Sequence, residues 1–186
     1  MARTYRYGLT ALSILAVVLA GTLLAGPSAA AAPAGVLDLT CTPPSSGVST
    51  YNPPLTNTQQ MVATTITYQL GPCVSAKAPQ VTAGTAVLNN APRLRSCLEL
   101  LGSSSRTLVI TWNTGQTSTL SLNVTASVVG AVLQTILTGT VTAGLFQGDT
   151  VAMDQTGPAA TVLTCTAGLG TVPSIYALVT LEITSV

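Results

Sequence analysis

Apolar and polar residues alternate along several stretches of this chain. From Thr117 to Val128, Leu120, Leu122, Val124, Ala126 and Val128 share one face, and Thr119, Ser121, Asn123, Thr125 and Ser127 share the other. A period of two belongs to a β-strand with one buried and one wet face. The same rule turns Val62, Thr64, Ile66, Tyr68 and Leu70 inward between Met61 and Leu70. Near the C-terminus it turns Ile175, Ala177, Val179, Leu181 and Ile183 inward, with Tyr176, Thr180, Glu182 and Thr184 outward. Further strand candidates are Val36–Thr42, Val81–Leu88, Ser96–Leu101, Thr107–Asn113, Val132–Thr142, Thr150–Met153 and Thr161–Thr166. Leu94–Leu101 can alternatively form one helical turn.

Turn residues separate these strands. Asn113-Thr114-Gly115-Gln116 supplies a glycine able to take φ > 0, so Thr107–Asn113 and Thr117–Val128 are expected to form a hairpin. Gly130 can turn the chain into Val132–Thr142, and Gly144 to Asp149 makes a further connection. About nine short strands without intervening helical periods predict an all-β, antiparallel β-sandwich. Trp112, with Leu108 and Ile110, is expected to anchor its core.

Composition removes other classes. The 186 residues fit one domain, and only 6% are charged while 47% are apolar. Polarity is carried by neutral groups, among them 31 Thr, which suit half-exposed strands. A helical bundle, a coiled coil or a nucleic-acid binder needs far more charge. Histidine is absent and the carboxylates are Asp38, Glu99, Asp149, Asp154 and Glu182, so acid–base catalysis is short of parts. The expectation is a protein that is not an enzyme.

Arg3 and Arg6 precede an apolar run from Leu9 to Ala25, and small residues follow from Gly26. This pattern predicts a signal peptide over residues 1–31 and one secreted domain over 32–186. A membrane anchor fits less well, because the run is short and no basic flank follows it. Removal of the leader leaves Lys77, Arg93, Arg95 and Arg106 against the five carboxylates, a balance that implies no electrostatic partner. An exported chain with Cys41, Cys73, Cys97 and Cys165 is expected to form two disulfides. Three connectivities are possible. Cys41–Cys73 with Cys97–Cys165 is favoured, since the first pair brackets a turn-rich centre, Pro53-Pro54 to Gln60, with strand-like arms on both sides. No CxxC or histidine suggests a metal or redox site, and no cofactor is expected.

Catalytic candidates are thin. Ser-Lys chemistry would need Lys77, which reads as a solvated lysine in the loop Ser75-Ala76-Lys77-Ala78-Pro79. Asp149 and Asp154, five apart, would face opposite sides of a strand, and Asp149 reads as a turn residue. Two segments hold more interest. Asn89 to Cys97 gathers Arg93 and Arg95 into what reads as a stiff, Pro-containing loop, the kind of element a protease inhibitor presents. Ala32 to Thr42 is a flexible lead into the strand pattern of Val36, Leu37 and Leu39, which could complete another protein's sheet or open this chain's own.

The order Cys41, Tyr51-Asn52-Pro53-Pro54-Leu55-Thr56, Cys73, Cys97, Trp112-Asn113-Thr114-Gly115-Gln116, the run Gly139 to Asp149, and Cys165 resembles small secreted bacterial immunoglobulin-like proteins. Their possible relatives include the adaptor subunits of umbrella toxin particles, which join a stalk-and-repeat subunit to lectin-bearing subunits. The resemblance implies an immunoglobulin-like β-sandwich, no catalysis, and other secreted proteins as partners. It carries over no contact residues. The expected function is therefore a non-catalytic adaptor in an extracellular, toxin-type assembly. No nucleic acid, no membrane after leader removal and no small-molecule substrate are expected. A protease inhibitor using Arg93 or Arg95 and a cell-surface structural module are the alternatives.

Overall fold

A computed structural model describes residues 35–186; the expected signal peptide lies outside them. The first two strands, β1 (Leu37–Cys41) and β2 (Ser46–Leu55), follow one another along the same edge of the last strand, β10 (Val172–Thr184). Pro43-Pro44 separates them, because a proline cannot donate to a ladder. β3 (Gln60–Leu70) and β4 (Cys73–Ser75) repeat the arrangement, broken at Gly71-Pro72, so that β2 pairs with β3 and β1 with β4. The remaining strands are β5 (Gly84–Arg95), β6 (Ser103–Trp112), β7 (Thr117–Val129), β8 (Val132–Gly144) and β9 (Thr150–Pro158).

Consecutive neighbours pair antiparallel around the order β2-β3-β5-β6-β7-β8-β9-β10, and β10 then pairs back onto β2. The result is an eight-stranded barrel, to which β1 and β4 add an extension, and not the immunoglobulin-like sandwich that the pattern and the resemblance implied. Alternation is blind to this choice: it sorts side chains between two faces, whether the buried face meets a second sheet or curls onto itself. What favours closure is strand length together with bulges at Val62/Thr64, Thr119/Leu120 and Val172/Ser174, which increase local twist and bend the sheet.

The inward stripes predicted on β3, β7 and β10 are the ones found, with Leu120, Leu122, Tyr68, Leu181 and Ile183 buried among others in the main core. Trp112 anchors that core, edge-on to Phe146 with ring centroids 6.1 Å apart, and its indole donates to Ser118 Oγ at 2.8 Å. The expected hairpin at Asn113–Gln116 joins β6 to β7, with Gly115 at φ +82°.

Other expectations need correction. Ser46–Leu55 is a strand, although Pro53-Pro54 reads as a turn; both prolines are exposed. Thr161–Thr166, read as a strand from its β-branched residues, is helix α1 (Ala160–Thr166), because Val162 and Cys165, three apart, are the residues it buries. Ser96–Leu101 is not a strand either: Cys97–Leu100 is a single 3₁₀ turn, in keeping with the alternative reading. This turn and α1 lie together at one end of the barrel and pack over Tyr51, Leu55, Val62 and Val172.

Both disulfides pair as expected, Cys41 with Cys73 and Cys97 with Cys165. Cys41 and Cys73 are direct register partners in β1 and β4, and Cys97–Cys165 ties the 3₁₀ turn to α1. With its cysteines 68 positions apart, the second bond is expected to contribute about 4 kcal/mol by restricting the unfolded chain. Replacing Cys97 and Cys165 together by alanine should lower the urea midpoint accordingly, while the far-ultraviolet dichroism below the transition stays that of a β protein.

Candidate functional site

Of the neighbouring strands that close the barrel, β5 and β6 are the least paired. These strands pair only at Gly84–Trp112 and Thr85–Thr111, whereas β6 and β7 pair from Ser103–Thr125 to Thr111–Thr117. The closed end is held tightly. A Cβ on Gly84 would lie 2.7 Å from Trp112 Cε3, so only glycine lets the two strands approach. Asn113 Oδ1 accepts from the Thr82 and Ala83 amides at 3.0 and 3.2 Å, and Asn113 Nδ2 donates to the Gln80 carbonyl at 3.0 Å. Beyond Thr85 the strands part, and the connection Ser96–Gly102 spans the other end of the opening.

Behind the opening lies a cavity of about 710 Å³ that reaches across the barrel to β8, β9 and β10. Its wall mixes apolar groups, including Ile66, Leu88, Val124 and Leu133, with inward polar side chains. Arg95, the last residue of β5, donates from Nη1 to the buried Thr64 Oγ1 at 2.9 Å, and its guanidinium lies 5.7 Å from the centroid of the Tyr51 ring. Its Nε has no hydrogen-bond partner; the nearest carboxylate oxygen, Glu99 Oε2, is 3.9 Å away. Arg106 of β6 donates to Tyr68 Oη at 3.3 Å, and Gln155 of β9 donates to the same oxygen at 2.9 Å.

Burial pushes the Tyr51 hydroxyl pKa up, an effect that the nearby Arg95 charge reduces. Burial likewise lowers that of Arg95, which stays protonated as arginines in proteins do. Of the four cations among the described residues, Arg93, Arg95 and Arg106 line the cavity, with Glu99 the one carboxylate in its wall. A nearly uncharged protein thus concentrates positive charge at one cleft. Among the described residues no group of three or more His, Cys, Asp or Glu lies together as metal ligands would.

The expected site residues fall in two separate places. Arg93 and Arg95 belong to the cleft, but the segment read as a presented loop is strand: Asn90 pairs with Thr64, Arg93 with Val62, and Ala91-Pro92 form a bulge opposite Ala63. A bulge is where a strand tolerates proline, and the turn reading gave this no weight. Val36, Leu37 and Leu39 lie at the other group. β1 is paired on both edges, with β10 and β4, and Leu39 is buried, so the leading strand is part of this chain's own sheet. Arg106, Tyr51, Thr64 and Gln155 were not singled out as site residues by the sequence, although Thr64 was expected to face inward. Arg106 continues the inward stripe of Leu108, Ile110 and Trp112, and Thr64 lies within that of β3. A polar residue at an inward position was the available signal.

Lys77 also departs from expectation. It is no free loop lysine: its Nζ donates to Asp38 Oδ2 and Asp149 Oδ2, each at 3.0 Å, and both carboxylates are buried. Lys77 thereby clips β1 to the Gly144–Thr150 connection, far along the chain.

Comparison with known proteins yields no match: no family model, no curated protein and no solved structure resembles the chain.

The hydrogen bonds to Asp149 and Asp38 raise the Lys77 pKa above its ordinary 10.5. A raised folded-state pKa stabilises fully below the unfolded value and loses that contribution as pH rises through the folded value. Stability should therefore fall in alkali above 10.5 by more in the wild type than in Lys77→Met. At neutral pH, Lys77→Met should cost about 2 kcal/mol, less than a fully buried pair because the ammonium is half exposed. Urea titrations of both proteins across this range check both statements.

Proposed function

We propose that this chain is an exported, non-catalytic binding module that joins other secreted proteins through the open seam between β5 and β6. The observation that carries this reading is the pair of free strand edges, Ala86–Arg95 on β5 and Ser103–Ile110 on β6, which have no partner across the opening. An unpaired edge offers main-chain donors and acceptors to a guest strand, and alternate side chains then supply specificity. Exposed apolar residues stand on these strands and beside them: Val87 and Leu94 on β5, Val109 on β6, Met61 opposite Leu94, and Leu98 on the 3₁₀ turn. Apolar anchors flanked by arginines suit an interface core, where both are enriched.

Two disulfides support export, and among the described residues no helix is long and apolar enough to cross a membrane. The adaptor role now rests on the seam, since the sandwich that the resemblance implied is not the fold. The occupant is an extended segment of a partner protein, in the manner of strand addition. A protease-inhibitor role is less favoured, because Arg95 is turned inward and held by Thr64 and Tyr51.

Size-exclusion chromatography with mass analysis of the protein from its native culture supernatant should show it co-eluting with other secreted chains. Val87→Asp with Val109→Asp should release it as a monomer with unchanged thermal unfolding. A wild-type monomer in that supernatant would overturn the reading.

A further inference from the structure

We propose that the cavity behind the seam binds a small organic carboxylate, held between Arg95 and Arg106 with its apolar part against Ile66, Leu88, Val124 and Leu133. This site does not depend on the partner reading: it is the interior of the barrel, whereas the strand edges form its rim. It also departs from the expectation that no small molecule is involved.

A cavity of about 710 Å³ falls within the range of pockets that enclose small ligands, and barrels of eight strands can hold one such molecule. The charges decide its class. Arg95 and Arg106 enter from opposite sides of the opening, on β5 and β6. Neither has a carboxylate within hydrogen-bond distance: Arg95 has only the long ion pair to Glu99 Oε2 at 3.9 Å, and its Nε makes no hydrogen bond although the side chain is only 13% exposed. A buried guanidinium N–H without an acceptor is unfavourable, and a ligand carboxylate that supplies one recovers that energy.

The fork is already oriented. Thr64 fixes one Nη of Arg95, Tyr51 lies against the guanidinium, and Tyr68 fixes one Nη of Arg106. Prearranged donors of this kind match a planar carboxylate. The apolar part of the wall favours an acid with a hydrocarbon or aromatic body over inorganic phosphate, and Gln155 can meet a polar substituent deeper in the barrel.

Isothermal titration calorimetry of the mature protein tests the site with benzoate, hexanoate, phenylacetate and citrate, each acid against its amide. At least one acid should bind at millimolar concentration or below, with its amide at least tenfold weaker. Arg95→Gln and Arg106→Gln should each lower affinity about tenfold or more, the range of a charged hydrogen bond, and Arg95→Lys should recover only part of the loss. Because Arg106→Gln could perturb folding, amide shifts of the wild type on adding the tightest acid provide a second measure. They should centre on Leu88–Arg95 and Ser103–Arg106. No binding across the panel, equal binding of acid and amide, or shifts confined to other strands would each overturn the proposal. So would binding of acidic peptides without any free acid, which would assign the guanidiniums to a partner's side chain. Co-elution with secreted chains is a separate readout, so loss of one conclusion is distinguishable from loss of the other.

Discussion

Closure of one sheet on itself governs this protein. β10 is hydrogen-bonded along both edges, by β9 on one side and by β2 and β1 in succession on the other. Every backbone group in a sheet needs a partner or water, and a curled sheet satisfies them without a second layer. Closure also makes the inward face an enclosed space. The apolar core fills one end of that space, and the disulfide-linked 3₁₀ turn and α1 cover the other.

One interval of the ring escapes this closure. At Gly84, Trp112 and Asn113 the seam is locked by close approach and by three side-chain hydrogen bonds. Farther along, from Ala86 on β5 and Ile110 on β6, the two strands no longer pair, and β5 stays paired with β3 alone. The same departure frees two strand edges and exposes the polar end of the interior. Binding capacity and local loss of pairing therefore have one structural cause, and the scarce charges of the chain collect there. Lys77, the remaining cation among the described residues, serves structure by bridging two buried carboxylates at the apolar end.

Much of the secondary structure was legible because a wet face and a dry face impose their period directly on the residues. The stripes of β3, β7 and β10, the hairpin at Gly115 and the Trp112 anchor were all readable in this way. Both cysteine pairings were favoured from the strand-like arms around the first pair. Local propensity misled where a tertiary bond overrode it: β-branched Thr161–Thr166 became a helix, with Cys165 linked to Cys97. Prolines misled in the other direction, since Pro53-Pro54 and Pro92 lie in strands at exposed or bulged positions.

The cleft was legible only in fragments. Arg93 and Arg95 stood out as a pair, but Arg106, Tyr51 and Gln155 come from three other strands, and no spacing in the chain connects them. By itself the sequence determined an all-β chain, the face on which each residue of the regular strands lies, and the cysteines available for pairing. Tertiary structure alone decided that the buried face encloses a barrel interior rather than meeting a second sheet, and that β5 and β6 separate. The physical reason is that alternation records whether a side chain meets water, a local property. Closure and the gap depend on accumulated twist, bulges and pairing between residues more than a hundred positions apart, as in Ser46 with Leu178.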